Sequence, residues 1–336
     1  MVLNRKLVVL TPVKNEAWIL ERFLQVTSIF ADHILIADQN STDGSREICN
    51  KFSKVILIKN EAKEFNEADR QLLLLNKARE LFGDNTILLA IDADEILAAN
   101  AMETDGWNKM LKAETGTILY FEKPSFYKNI ETVIRYTKGG WPLGFVDDGS
   151  IHYPSKIHSS RIPTPLNAKR LYLDDIKFLH FNSVRLKAFS SKQRYYGMLE
   201  NVNQTRSLRK RLRMYDRNLN ILEDGDKVEK SDKDWFKNWD NLGINFNYFE
   251  EKEPFWYDYE ALKLLEKYGA KPFQYDDIWY FNWERLRQMA IEEGKENVPN
   301  FLIKRPNPFT SNLLEMLTKF LDKNWLLVSK ITRKNN

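Results

Sequence analysis

The sequence predicts an α/β protein with a doubly wound, mostly parallel sheet, followed by a helical, aromatic-rich extension. Two observations carry that prediction. Short apolar runs recur at residues 7–10, 34–37, 55–58 and 87–91, with helix-patterned stretches between them. Each of three runs stops at polar or acidic residues: Thr11-Pro12, Asp38 and Asp92-Ala93-Asp94-Glu95. In a parallel arrangement all of these fall on one edge, the carboxyl edge, where open sheets bind ligands.

The elements follow in order. The run at 7–10 ends at a turn-forming Thr-Pro. Asn15 is placed to cap a helix in which Trp18, Ile19, Phe23, Val26 and Phe30 repeat at near-helical spacing. A second strand ends at Asp38, and the loop at 39–45 offers Thr42 or Asp43 as the next cap. After a third strand, a helix is expected from about Asn66 to Phe82. The run at 87–91 then meets three acids. An unbroken apolar run reads as a strand buried on both faces. On a continuing strand Asp92 and Asp94 point to the same side and repel unless a cation relieves them. A hard divalent ion, Mg²⁺ or Mn²⁺, is the simplest such cation, and it bridges naturally to a diphosphate. A solvated acidic turn is the plain alternative.

Composition narrows the classes. The chain has 336 residues, 43% hydrophobic and 29% charged, so it can bury a real core. A formal charge of +4 over that length and the lack of a nucleic-acid motif argue against DNA or RNA. The single cysteine, Cys49, excludes an internal disulfide or a cysteine zinc site and suits a reducing compartment. No leader and no membrane-spanning run is expected, so the expected location is cytoplasmic. No Gly-x-Gly-x-x-Gly follows the first strand and no Gly-Lys-Ser/Thr loop is present. A nucleotide would therefore be held by side chains and a metal.

The blocks Thr11-Pro12-Val13-Lys14-Asn15-Glu16, Asp38 to Ser45 and Ile91 to Glu95 resemble, in order and separation, the nucleotide-binding blocks of family 2 glycosyltransferases with the GT-A fold. The resemblance is clear over residues 5–100, thinner to about 200 and absent beyond. It is nearest to members acting in lipopolysaccharide-core and β-glucosyl transfer. It implies that Thr11, Pro12, Asn15, Glu16 and Asp38 hold the base and ribose of a nucleoside diphosphate sugar, a UDP-sugar first. It implies that Asp92 sits near ribose and metal, that Asp94 binds the metal, and that Arg70 faces the nucleotide. A surface ion pair is the alternative for Arg70. It also implies inversion at the anomeric carbon, with a glycan or glycolipid acceptor.

Beyond residue 100, strands are expected at 117–121 and 132–136, then a loop at 139–149. Trp141 offers a flat face for a sugar ring, and Asp147 or Asp148 a base, against an ordinary turn. His180 follows a strand-like run, and in the resembling members such a histidine is a further metal ligand; neutral imidazole suits Mn²⁺. A satisfied core histidine is the alternative. Those members often carry Val-His-Glu where this chain has Ile157-His158-Ser159. Residues 184–222 read as helical and basic. Lys192 there is a candidate for neutralising a leaving diphosphate, and the later arginines for meeting anionic lipid or acceptor, against a solvated helix face. The charged stretch at 224–234 suggests a boundary, giving domains 1–224 and 225–336. Aromatics at 235–259 build a small core or line an acceptor groove, with helices at 257–268 and 275–293. A last helix at 311–330 either docks on the domain or lies on a membrane surface as a peripheral contact. The rivals are a haloacid-dehalogenase-type phosphatase, whose Asp-x-Asp usually continues with Thr or Val rather than Glu95, a nucleotidyltransferase, whose glycine-rich opening loop is missing, and a non-catalytic carbohydrate- or lipid-binding protein.

Overall fold

The computed structural model describes residues 5–62, 66–135, 139–155, 159–215, 227–314, 316, 317 and 320. His158, the expected boundary at 224–226 and the last helix from residue 321 on lie outside them. The first hundred residues alternate as expected: β1 (Leu7–Val13), α1 (Ala17–Phe30), β2 (His33–Asp38), α2 (Ser45–Cys49), β3 (Val55–Lys59), α3 (Glu67–Phe82) and β4 (Ile87–Ala90). These strands pair in parallel in the order β4-β1-β2-β3. Period-two alternation sorts their side chains to two faces. Val8, Leu10, Leu35 and Leu88 pack against Leu74, Leu75 and Ala78 of α3. Val9, Val13, Ile34 and Leu89 pack against Ile19, Leu20, Phe23 and Leu24 of α1.

Side-chain capping differs between α1 and α3. The Asn66 side chain accepts from the amides of Ala68 and Asp69 and starts α3. Asn15 caps nothing: α1 begins after Glu16, and Asn15 itself takes a left-handed φ of 56°.

The chain continues through β5 (Glu95–Leu97), α4 (Asp105–Leu111), β6 (Ile118–Glu122), β7 (Ser125–Tyr127), β8 (Asn129–Arg135), β9 (Trp141–Val146) and β10 (Arg170–His180). The expected loop at 139–149 is for the most part the strand β9. It runs antiparallel between β4 and β6 in the middle of the sheet. Gly144 makes that possible. A Cβ there would stand 2.8 Å from Leu89 Cδ2 and 3.0 Å from Leu119 Cδ1, so only glycine lets the three strands close up. Glycine and proline mimicked a loop because the strand is squeezed from both sides.

By contact the chain divides into two compact units, Met1–Val184 with Asp224–Glu250, and Arg185–Glu223 with Glu251–Asn336. The chain thus passes between units three times, not once near residue 224. The first unit reclaims the later segment because β11 (Lys227–Lys230) pairs antiparallel with β8. Trp235 and Trp239 are then buried in its core. Trp239 Nε1 donates to the Leu97 carbonyl at 2.9 Å, and the Ala99 amide to the Trp235 carbonyl at 2.8 Å. The second unit holds α5 (Leu186–Val202) and α6 (Leu208–Met214); α7 (Lys237–Asn241) belongs to the first, and α8 (Trp256–Tyr268) and α9 (Trp283–Glu292) to the second. Helix α9 starts later than the expected 275 because Asn282 caps it, accepting from the Arg285 amide. In the second unit a buried Asp258 holds Arg194 at 2.7 Å and Ser191 at 2.6 Å, tying α5 to α8.

Candidate active site

The site grows from the end of β4. The chain does not continue as a strand through the acids. The Ile91 amide still bonds to the Leu10 carbonyl, but at Asp92 the backbone turns, closed by the Glu95 amide donating to the Asp92 carbonyl at 2.9 Å. Strand β5 leaves that turn and pairs antiparallel with the end of β10, His180 opposite Glu95. Asp92 and Asp94 therefore sit on a turn, not on one side of a strand.

This pairing brings a histidine 86 positions away to the acids. The Phe181 amide donates to the Asp94 carbonyl at 2.8 Å, and His180 Nε2 stands 3.7 Å from Asp94 Oδ2. Ser125 Oγ, at the start of β7, lies 3.0 Å from His180 Nδ1 and turns Nε2 toward Asp94. A hydrogen-bond partner on the far ring nitrogen is how proteins aim a histidine at a metal. Adjacent ligand atoms on an octahedral Mg²⁺-sized ion lie about 3 Å apart. A carboxylate and an imidazole at 3.7 Å fit that pattern with little movement. Among the described residues no group of three or more His, Cys, Asp or Glu side chains gathers for a metal. A two-ligand site suits an ion that keeps waters and substrate phosphates as its other ligands.

Glu95 organises the rest. It is fully buried, and burial alone would raise its pKa. Arg161 and Lys123 outweigh that and hold the carboxyl well below its usual range. Arg161 reaches Glu95 at 2.5 and 3.1 Å and Asp92 at 2.6 Å. Burial works against the Arg161 charge, but Asp92 and then Glu95 more than restore it, raising its pKa. Lys123 Nζ bonds Glu95 at 2.9 Å and lies 4.1 Å from the centre of the Trp141 ring. The Asp92 amide also donates to Glu95 at 3.0 Å. Two carboxylates, Asp92 and Glu95, thus share two cations.

A strap delivers Arg161. The β9–β10 connection begins where Asp147 meets Arg79 near the end of α3. It passes His152, whose Nε2 is 3.3 Å from Gln71 Oε1, and Ser159, whose amide donates to Glu67 Oε2 at 3.4 Å in the first turn of α3. The described part of the connection follows α3 and carries Arg161 to the acids.

Of the expected site residues, Asp92, Asp94, His180 and Trp141 come together through the contacts above. Pro12, Asn15, Glu16 and Asp38 share the same edge, where β1 and β2 end in register. Asn15 clasps the 39–45 loop, its amide donating to Ser41 Oγ at 2.8 Å and its Oδ1 accepting from Thr42 at 2.7 Å. Glu16 accepts from Trp18 Nε1 at 2.7 Å. Asp38 is buried, 3.3 Å from the Ser41 amide and 3.4 Å from Arg46 Nε. Arg70 stands in the first turn of α3, 3.9 Å from Glu67.

Three expectations fail or move. Thr11 is fully buried, on the face shared by Val9 and Val13, so its hydroxyl faces the core and not a ligand. Asp147 and Asp148 follow the far end of antiparallel β9, at the opposite edge of the sheet. Asp147 bonds through its amide to Thr86, just before β4, roughly 15 Å along the strand from Asp92. Its carboxylate is buried in a two-point pair with Arg79 at 2.7 and 2.9 Å, and Asp148 caps the Ser150 amide. Neither is a base for this site. Lys192 lies on α5 in the second unit, its Nζ 5.9 Å from the Tyr196 ring.

Sequence reading missed the parts played by Arg161, Lys123, Glu95 and Ser125. A lysine directly after β6 was a usable signal, since it marks the same edge. Arg161 left none, lying 66 positions from Glu95 and outside any strand or helix.

The fold and this edge define a doubly wound α/β protein with an acidic, cation-laced cluster at its ligand edge. Residues 8–104, less than a third of the chain, match the family described as Glycosyl transferase family 2. No curated protein matches the sequence. Among solved structures, Mycobacterium tuberculosis glucosyl-3-phosphoglycerate synthase, in complex with Mn²⁺, UDP and glucosyl-3-phosphoglycerate, is 19% identical over 37% of this chain and 44% of its own, with a TM-score of 0.26. The chain thus aligns with less than half of that protein. S. aureus TarS 1–349 is 12% identical over 80% and 84%, with a TM-score of 0.37. A 4-diphosphocytidyl-2C-methyl-D-erythritol synthase is 18% identical over 43% and 76%, with a TM-score of 0.30.

Proposed function

We propose that this chain moves a sugar from a nucleoside diphosphate sugar, a UDP-sugar first, to a hydroxyl of a glycan or glycolipid acceptor, with inversion at the anomeric carbon. The observation that carries the reading is Asp94 beside a serine-held His180, at the edge where β1 and β2 end and within the turn that follows β4. In the reaction the anomeric C–O bond to the diphosphate breaks as the acceptor oxygen bonds the opposite face. The acceptor proton leaves to a base, and the electron pair leaves with the diphosphate.

Asp94 and His180 would hold a divalent ion, Mn²⁺ or Mg²⁺, which supplies charge neutralisation for the departing diphosphate. Pro12, Asn15, Glu16, Asp38, Arg70 and Asp92 are assigned to the nucleoside and its ribose. Glu95 holds Arg161 and Lys123 as fixed positive charge beside the leaving group. Trp141 is assigned to a sugar ring, its face already polarised by Lys123. Among the described residues no helix is long and apolar enough to cross a membrane. A reducing, cytoplasmic setting is the one assigned.

Calorimetric titration of UDP and of GDP, with and without Mn²⁺, tests the assignment on the wild type and on Asp94→Ala and His180→Ala. Metal-dependent binding that weakens at least tenfold in both variants is expected. Failure of the folded wild type to bind either nucleotide sinks it.

A further inference from the structure

We propose that the second unit carries a docking surface for an anionic lipid bilayer, formed by residues 302–314, 316 and 317 together with the basic face of α6. Residues 308–314, 316 and 317 are helical. Ser311 is fully buried, donates to the Pro306 carbonyl at 3.0 Å and fixes which side of the helix faces inward. Each helical residue advances about 100°. Phe309 and Leu313, two positions either side of Ser311, therefore point away from the unit, and Met316 and Leu317 fall on the same outer side. Their fractional exposures are 82%, 48%, 70% and 49%, and Leu302 before them is 54% exposed. The helix is amphipathic the wrong way round for a docked element, with its small polar residue inward and its large apolar ones in solvent. A face of this kind is made to be covered.

Charge decides what covers it. Residues 301–336 contain seven basic residues against two acidic ones, a formal +5, whereas the whole chain carries only +4. All of the net positive charge resides in this last tenth of the chain. Helix α6 adds to it. Arg206 and Arg211 are committed to Glu200 and Asp276, but Lys210 and Arg213 are exposed, with no acid between residues 206 and 214. The two segments lie together, because Arg211 bonds Asp276 at 2.8 Å while Arg305 donates to the Gln274 carbonyl at 3.0 Å. Large apolar side chains bordered by lysine and arginine match the interface of a bilayer with negative headgroups. A protein partner of the same fit would need a matching acidic rim. A second copy of this chain would bring like charges together, which disfavours self-association. The surface stands apart from the transferase reading, and its test does not use turnover.

The full chain is floated with vesicles of phosphatidylcholine alone and of phosphatidylcholine mixed with phosphatidylglycerol, at low and high salt. Binding to the anionic vesicles, weakened by salt and absent on the neutral ones, is expected. Met316→Glu with Leu317→Glu should reduce the bound fraction at least tenfold. Lys210→Glu with Arg213→Glu should lower it and flatten the salt dependence. All these residues are exposed, and unchanged thermal melts establish that the variants fold. No binding to anionic vesicles, equal binding by the variants, or concentration-dependent dimers that the Met316/Leu317 pair abolishes in place of vesicle binding would overturn the proposal.

Discussion

Glu95 stays ionised although no water reaches it, because a lysine and an arginine face its two oxygens. Glu95→Gln removes the charge and keeps the shape. It leaves Lys123 and Arg161 partly uncompensated, and losing one partner of a buried pair costs about 3–5 kcal/mol. A drop of that order in urea-unfolding stability is expected. Replacing Lys123 by Met in the same chain should recover part of it. Asp147→Asn gives the opposite pattern. Weakening the Arg79 pair should cost about 1–3 kcal/mol of stability, while UDP affinity stays at the wild-type level, because the residue is at the wrong edge. Loss of UDP binding without loss of stability would return Asp147 to the site. Cys49 is a third case. Burial first, then the nearby Asp38 carboxylate, push its thiol up to about 12. The folded protein keeps the neutral thiol where an unfolded chain would release the proton. Any stability linked to this group is therefore complete below the ordinary thiol range and lost as pH rises toward 12. At pH 8 iodoacetamide should label Cys49 only after denaturant is added.

At the scale of elements, the strap from Asp147 to Arg161 forms no strand or helix among its described residues and yet completes the site. Its middle pin is His152 against Gln71. Burial lowers the His152 pKa, and Arg79 adds to this, against a bond from the Ser160 backbone. Its folded value lies below the ordinary 6.5, so the unfolded chain takes up the proton first. The stabilisation is whole above about pH 6.5 and is lost as pH falls. Melting curves between pH 7.5 and 5 should show a steeper acid loss for the wild type than for His152→Gln. Equal slopes would remove His152 as the cause. Strand β9 shows how a local signal misleads. Trp141-Pro142-Leu143-Gly144 looks like a loop by composition, and the close approach of Leu89 and Leu119 makes the same glycine a requirement of a central strand. Gly144→Ala should destabilise by about 1–3 kcal/mol, as overpacking does.

For the whole molecule, the order of segments in space differs from their order in sequence. The first unit is complete only with residues from 227 onward, since Trp235 and Trp239 fill its core. Trp239→Ala should cost about 3–5 kcal/mol. A chain ending at residue 224, where a sequence-based boundary would cut, should fail to give a cooperative unfolding transition.

What the amino-acid sequence determined by itself was the alternation of the first hundred residues, and with it a parallel sheet and the edge at which Pro12, Asp38, Asp92 and Asp94 collect. Those features follow from local periodicity and from the handedness of β-α-β crossovers, which operate over short spans. Tertiary structure alone decided the rest. The turn after Ala90 separates Asp92 from Asp94. The β5–β10 pairing brings His180 to Asp94, and the strap brings Arg161 to Glu95. The bond of Asp147 to Thr86 sends the expected base to the wrong edge. All but that turn depend on contacts across many tens of residues. No period in the sequence encodes such pairings, because their free energy comes from burial and charge compensation that exist only once the sheet is assembled.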